Sequence, residues 1–338
     1  MRITLFKSKQ LVRLAKFFIA AGLLYFLARN AHIDLALLHA LYQKPMLFSS
    51  AIVVFLLMVI LAGCRWWLLN TSQSINLNIF PTIMVTYIGS AFNNVLPGAI
   101  GGDIFRGYYV FKREPTQKRK AFLALFVDRL LGFVAVMITI CFVAAIHLMQ
   151  LELEPNVYHL LLSCLAVSGI LLLTLVTVFS ILRNTSLMAW IKKIVGTKKW
   201  LQPIISLLEA ISEFRVDLSV ITVSIFLSVL LQLLIIVSLM ILAKIMNFPY
   251  IAFSDYILAA GITQIVNLIP ITPGGVGVGE MAFANILLLL NPGIPAAYAT
   301  IFFAYRLVSA VTYLPGILWY IASSTLVKKR LELQKDQA

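Results

Sequence analysis

Two carboxylates set in apolar sequence, Asp103 and Glu280, are each followed 26 residues later by an arginine (129 − 103 and 306 − 280). Each also follows a stretch rich in proline and glycine. Asn94-Val-Leu-Pro97-Gly98 with Gly101 and Gly102 precedes the first; Asn267-Leu-Ile-Pro270 with Pro273, Gly274, Gly275, Gly277 and Gly279 precedes the second. Asparagine and acid are 9 residues apart in one stretch and 13 in the other, so the second is four residues longer. A planar guanidinium, as in Arg129 and Arg306, suits bidentate contact with a phosphate, and a neighbouring carboxylate can hold and release it. The same four side chains equally suit internal ion pairs, Asp103–Arg129 and Glu280–Arg306, that pin their segments. Asp128 is a second candidate to neutralise Arg129. Asn94 and Asn267 suit either capping of a broken helix or contact with a ligand.

Other chemistry is sparse. Cys64, Cys141 and Cys164 lie in apolar segments without CxxC spacing and read as small buried hydrophobes. His32, His39, His147 and His159 are scattered, and no Asp-x-Asp accompanies them, so neither a metal site nor a cofactor is expected. No Walker motif is present, which argues against direct drive by ATP.

These residues must be positioned by membrane helices. Of 338 residues, 61% are hydrophobic and 12% charged, against roughly 45–50% and about 25% in soluble domains. A span needs about 20 apolar residues. Six segments meet that: Leu11–Ala28, Met46–Leu69, Ala121–Met149, Tyr158–Leu182, Leu218–Met246 and Pro295–Leu326. The first follows basic residues as a signal peptide would, but it is long and lacks an A-x-A site, so it reads as a retained helix. Two further apolar stretches, Phe80–Phe111 and Ile251–Leu290, are interrupted by the Pro/Gly runs. Proline removes a donor and glycine weakens a helix. Backbone broken at membrane depth is tolerated only where protein or a water-filled cavity covers it. Each stretch therefore reads as a re-entrant hairpin of two short helices.

The expected fold class is an all-α polytopic membrane protein with six full spans and two re-entrant hairpins in an inverted repeat. One transmembrane domain covers 1–338, with half-repeats at about 80–149 and about 251–326. Eight full crossings satisfy the same charge parity. Residues 183–217 form a cytoplasmic amphipathic connector, with Ile204, Leu207, Leu208, Ile211 and Phe214 at helical spacing.

The net charge of +14 gathers beside the apolar runs, at Lys112–Lys120, Lys192–Lys199 and Lys328–Arg330 among others. That pattern follows the positive-inside rule and contact with anionic lipid, not a nucleic-acid partner. It places both termini in the cytoplasm. Arg65-Trp66-Trp67, at a segment end, reads as an interfacial anchor. Arg306 is different: it sits on the order of 15 Å into the last span. Unpaired, it would cost roughly 2.5–3.5 kcal/mol on insertion scales. Glu280 is its natural partner.

The run Phe92-Asn93-Asn94-Val95-Leu96-Pro97-Gly98 with Gly101-Gly102-Asp103, then Asp128-Arg129, then Pro270-Ile271-Thr272-Pro273-Gly274-Gly275-Val276-Gly277 with Glu280, resembles the lysylphosphatidylglycerol synthase transmembrane-region family. The likeness runs over most of the chain, roughly Leu11 to Leu326. It implies a flippase-like domain in a bacterial inner membrane that moves lipids or lipid-linked intermediates between leaflets. The chain ends at Ala338, 12 residues past Leu326, so a stand-alone member without the synthetase domain is expected, and lysyl transfer is not carried over.

The reading that results is a lipid translocator whose headgroup path is lined by Arg306, Glu280, Asp103, Arg129, Asn94 and Asn267. Its partners are membrane lipids and a separate lipid-synthesis enzyme, with the oligomeric state left open. The rival readings are an intramembrane transferase acting on a lipid-linked group and a non-transporting scaffold that docks a lipid-synthesis enzyme on 183–217.

Overall fold

Prolines, breaks and charges divide the apolar sequence into helices. A computed structural model describes residues 34–95, 101–149, 154–183, 217–269, 272, 275–292 and 297–335, and all regular structure among them is helical. After short turns at Leu35–His39 and Ala40–Gln43 come α1 (Pro45–Thr71), α2 (Ile79–Val95), α3 (Gly101–Arg113), α4 (Lys118–Leu148) and α5 (Pro155–Arg183). Then follow α6 (Leu218–Ile245), α7 (Phe253–Val266), α8 (Val278–Leu290) and α9 (Ala299–Lys335). Pro45 and Pro155 open α1 and α5, where a missing N–H is no loss.

Five helical segments among the described residues are long and apolar enough to cross a membrane: Pro45–Thr71, Pro115–Leu148, Pro155–Thr177, Leu218–Ile245 and Ala299–Tyr320. They coincide with five of the six expected spans. The sixth, Leu11–Ala28, lies outside the described residues, as does the connector from 184 to 216. Both interrupted stretches do break into two short helices, α2 with α3 and α7 with α8. The chain is an all-α polytopic membrane protein. Ile170, Leu173 and Val176 stand exposed along α5, the surface an apolar solvent calls for.

The fold separates into two compact units. The first takes residues up to Gly63, then Phe80–Arg106 and everything from Leu234; the second takes Cys64–Ile79 and Gly107–Leu233. In the first unit α7 packs along α8, and α8 against α9. Helix α9 also backs the first broken stretch. Tyr87 of α2 donates its hydroxyl to the Thr312 carbonyl at 2.7 Å, and the Tyr320 ring meets those of Phe92 and Phe105. In the second unit α4 packs along α5. Leu69, Leu123, Ala124 and Leu131 form a buried cluster against which Val220, Ile221 and Ile225 of α6 close.

One sequence expectation is overturned here. Arg65 and Trp66 do not stand on the surface as an interfacial anchor would: α1 runs on to Thr71, Trp66 is fully buried, and Arg65 is buried as well. The arginine lies inside because a carboxylate from α4 is there to receive it, as described below.

Candidate functional site

The second break is built around one guanidinium. Helix α7 ends at Val266, and Asn267 caps it, its N–H bonding the Thr263 carbonyl at 2.9 Å. The chain then turns through Thr272, whose hydroxyl donates to the Val276 carbonyl at 2.8 Å. Gly275 and Gly277 follow with φ of 72° and 85°, a left-handed region that a Cβ penalises. Glu280, in the first turn of α8, receives the Gly277 N–H on Oε2 at 2.7 Å. This is the return half of a capping box, glycine having no side chain to supply the other half.

Glu280 is wholly buried, and its Oε1 lies 2.9 Å from Nε of Arg306 on α9, an ion contact without hydrogen-bond alignment. Nη2 of Arg306 donates to the Gly275 carbonyl at 2.9 Å and to Asn267 Oδ1 at 3.4 Å. The guanidinium stands 5.1 Å from the centre of the Phe302 ring, within cation–π range. Both ends of the break therefore grip a cation from the next helix. One fifth of the Arg306 side chain, 19%, stays accessible.

The same geometry explains Gly279, which lies within α8. A Cβ there would sit 2.5 Å from Arg306 Nη2 and 2.8 Å from Asn267 Oδ1. That space is already filled by the site.

The first break is differently made. Asn93 Oδ1 accepts the Gly102 N–H at 2.8 Å, so Asn93 caps the start of α3. Gly101 and Gly102 form the first turn of that helix. A Cβ on Gly102 would overlap the Gly89 carbonyl, so α2 and α3 meet backbone to backbone. Asp103 pairs with Arg106 one turn along its own helix, at 3.4 Å. Phe92 stacks on Phe105 with centroids 5.2 Å apart.

Arg129 belongs to the second unit, on the exposed side of α4. Its neighbour Asp128 is buried and accepts from Arg65 Nε at 2.8 Å, while Arg65 Nη1 donates to Ser228 of α6 at 2.7 Å.

Of the expected site residues, Arg306, Glu280 and Asn267 thus converge with Gly275, Gly277 and Gly279. The Asn94 side chain and Pro97, Gly98, Pro270, Pro273 and Gly274 lie outside the described residues. Sequence reading passed over Asn93, whose signal was only its place beside Asn94, and misread Arg65, whose buried partner is 63 residues away.

The chain is 24% identical over 355 aligned positions, covering 100% of both sequences, to UPF0104 membrane protein MJ1595 of Methanocaldococcus jannaschii. It is 27% identical over 141 residues to UPF0104 membrane protein PH1989 of Pyrococcus horikoshii, a match spanning 41% of this chain and 41% of that protein. No solved structure matches. Residues 13–316, which contain both broken stretches and the Glu280–Arg306 pair, match the lysylphosphatidylglycerol synthase TM region. A match of that extent means that the chain belongs to the lysylphosphatidylglycerol synthase transmembrane-region family.

Proposed function

We propose that the protein translocates a phospholipid or lipid-linked intermediate between membrane leaflets, with the headgroup phosphate engaging Arg306. One observation carries this reading. An arginine within a membrane-length helix is held at a backbone break by a buried carboxylate, a carbonyl and an amide, and still keeps 19% of its side chain accessible. Intramembrane charge is expensive and by default marks a substrate path. Half-helix ends at a break aim their dipoles at polar groups, as translocation sites commonly do. Glu280 balances the guanidinium when no anion is present and shares it when one arrives.

In this reading the two broken stretches are inverted repeats entering from opposite faces of a bacterial inner membrane. Both termini are cytoplasmic, as the basic clusters ask. Asp103 belongs to the counterpart half of the path.

The test is reconstitution into liposomes carrying fluorescent phospholipids whose outer-leaflet copies dithionite bleaches. The wild-type chain should expose the inner-leaflet pool, and Arg306→Ala and Glu280→Gln, each verified as folded, should abolish that exposure. A wild-type chain that moves no lipid across a panel of headgroups would overturn the proposal.

A further inference from the structure

The carboxylate at the second break sits in a charge balance that a headgroup on Arg306 would disturb. Glu280 is wholly buried, while 19% of the Arg306 side chain stays accessible. An arriving anion can reach the guanidinium, but water does not reach the carboxylate. The two oxygens of Glu280 are not alike. Oε2 takes the Gly277 N–H at 2.7 Å. Oε1 lies 2.9 Å from Arg306 Nε, and no donor among the described residues is aligned on it.

Arg306 is the charged side chain that acts on Glu280 among the described residues. Helices α7 and α9 pack against α8, and their other titratable groups do not take its place. Asp255 of α7 lies at the opposite end of α8, where its Oδ2 accepts from Asn291 at 3.1 Å. Eleven residues separate Asn291 from Glu280, about 16 Å along a helix. Tyr256 and Tyr298 are within electrostatic reach of Asp255, and Tyr305 acts on Arg306.

Without a ligand the pair is neutral, one carboxylate against one guanidinium. A phosphodiester on Arg306 adds a second anion and leaves the site one negative charge in excess. In low-dielectric surroundings such a charge is costly, and a buried carboxylate whose partner is drawn away favours its neutral form. The diester is too strong an acid to hold a proton near neutral pH, and the guanidinium does not give one up. Glu280 alone can restore neutrality, by taking a proton from solvent onto Oε1.

We propose that Glu280 is a proton-coupling site: one proton binds its carboxylate for each phosphodiester that binds Arg306, and the two leave together. This rests on the reading of Arg306 as the phosphate contact and adds what drives the movement. A phosphodiester and a proton cross without net charge. A pH difference, and not voltage, therefore pulls the cargo toward the more alkaline side.

The experiment counts protons on binding, apart from transport. The full-length chain in detergent is titrated with dioleoylphosphatidylglycerol and with dimethyl phosphate, a diester without tails. Both keep a single charge over about two pH units around neutral, so any pH dependence belongs to the protein. Calorimetry in two buffers of different ionisation heat gives the protons taken up per ligand. Wild type should take up about one, and its Kd should rise about tenfold per pH unit while the empty site holds Glu280 ionised. Glu280→Gln, an isostere of the protonated acid, should take up none and bind alike at every pH. Asp255→Asn should keep the wild-type count. If Glu280→Gln does not fold, the wild-type count and slope decide. Wild-type binding without proton uptake would overturn the proposal, as would uptake that Glu280→Gln retains or Asp255→Asn removes, or no binding of either ligand. Dimethyl phosphate bound with its proton while the lipid does not bind would overturn lipid as the cargo and keep the coupling. In liposomes, a chain that moves lipid but takes up no proton on binding keeps the translocation reading and loses the coupling. One that takes up the proton but moves no lipid does the reverse.

Discussion

The two broken stretches share a sequence pattern and differ in what the pattern does. At the second break, glycines make room for a cation: Gly275 lends its carbonyl to Arg306, and Gly279 leaves the space its guanidinium occupies. At the first, Gly102 makes room for backbone, allowing α3 to meet α2 at the Gly89 carbonyl. The acids diverge in the same way. Glu280 is wholly buried against Arg306, whereas Asp103 is only partly buried and has Arg106, one turn along its own helix, within 3.4 Å. Asparagine serves the two breaks differently too, Asn267 as a ligand of the guanidinium and Asn93 as a helix cap. A repeated motif of Asn, Pro, Gly and acid therefore specifies a break, while the neighbour across it specifies the use.

That contrast can be broken at four points. Glu280→Ala should have the largest effect, about 3–5 kcal/mol, because it leaves Arg306 as an uncompensated buried charge. Thermal unfolding in detergent should fall steeply, and Arg306→Met in the same background should recover part of the loss. Gly102→Ala should follow at about 1–3 kcal/mol, the cost of forcing a methyl group against backbone that cannot yield. Proteolysis near the first break should rise with it. Asn93→Ala should cost about 1 kcal/mol, the worth of a helix cap, with Asn93→Asp retaining most of the stability. Asp103→Asn should stay well below Glu280→Ala, since neutralising a carboxylate that keeps 19% of its side chain accessible costs less than neutralising one wholly buried. If its unfolding temperature instead drops as far as that of Glu280→Ala, the two acids are doing the same job and the contrast is wrong.

Much of the fold was legible beforehand because a bilayer leaves few options. An apolar run of about 20 residues in lipid folds as a helix, and five expected spans appear with each end within six residues of the expected one. The Pro/Gly runs predicted both breaks, since proline and glycine act locally. The Glu280–Arg306 pair was legible as well, because an arginine so far into a span needs a counter-charge and one acid lay just ahead in sequence. Arg65 was misread for the converse reason. Its position near the end of an apolar run looked interfacial, and nothing local announced Asp128 or Ser228, which approach from other helices. Asn93 was missed because sequence cannot say which of two adjacent asparagines faces the next helix; that depends on where α3 resumes.

The sequence by itself determined the solvent this chain lives in, where its helices start and break, and that Arg306 needs an acid. These follow from composition and from the chemistry of single residues in lipid. Only the tertiary structure decided that α9 backs both broken stretches, that Gly279 yields its space to Arg306, and that Arg65 is an interior residue bound to Asp128 and Ser228. Such facts depend on which surfaces of separate helices meet, and a one-dimensional pattern records the faces a helix has but not the neighbour each face will find.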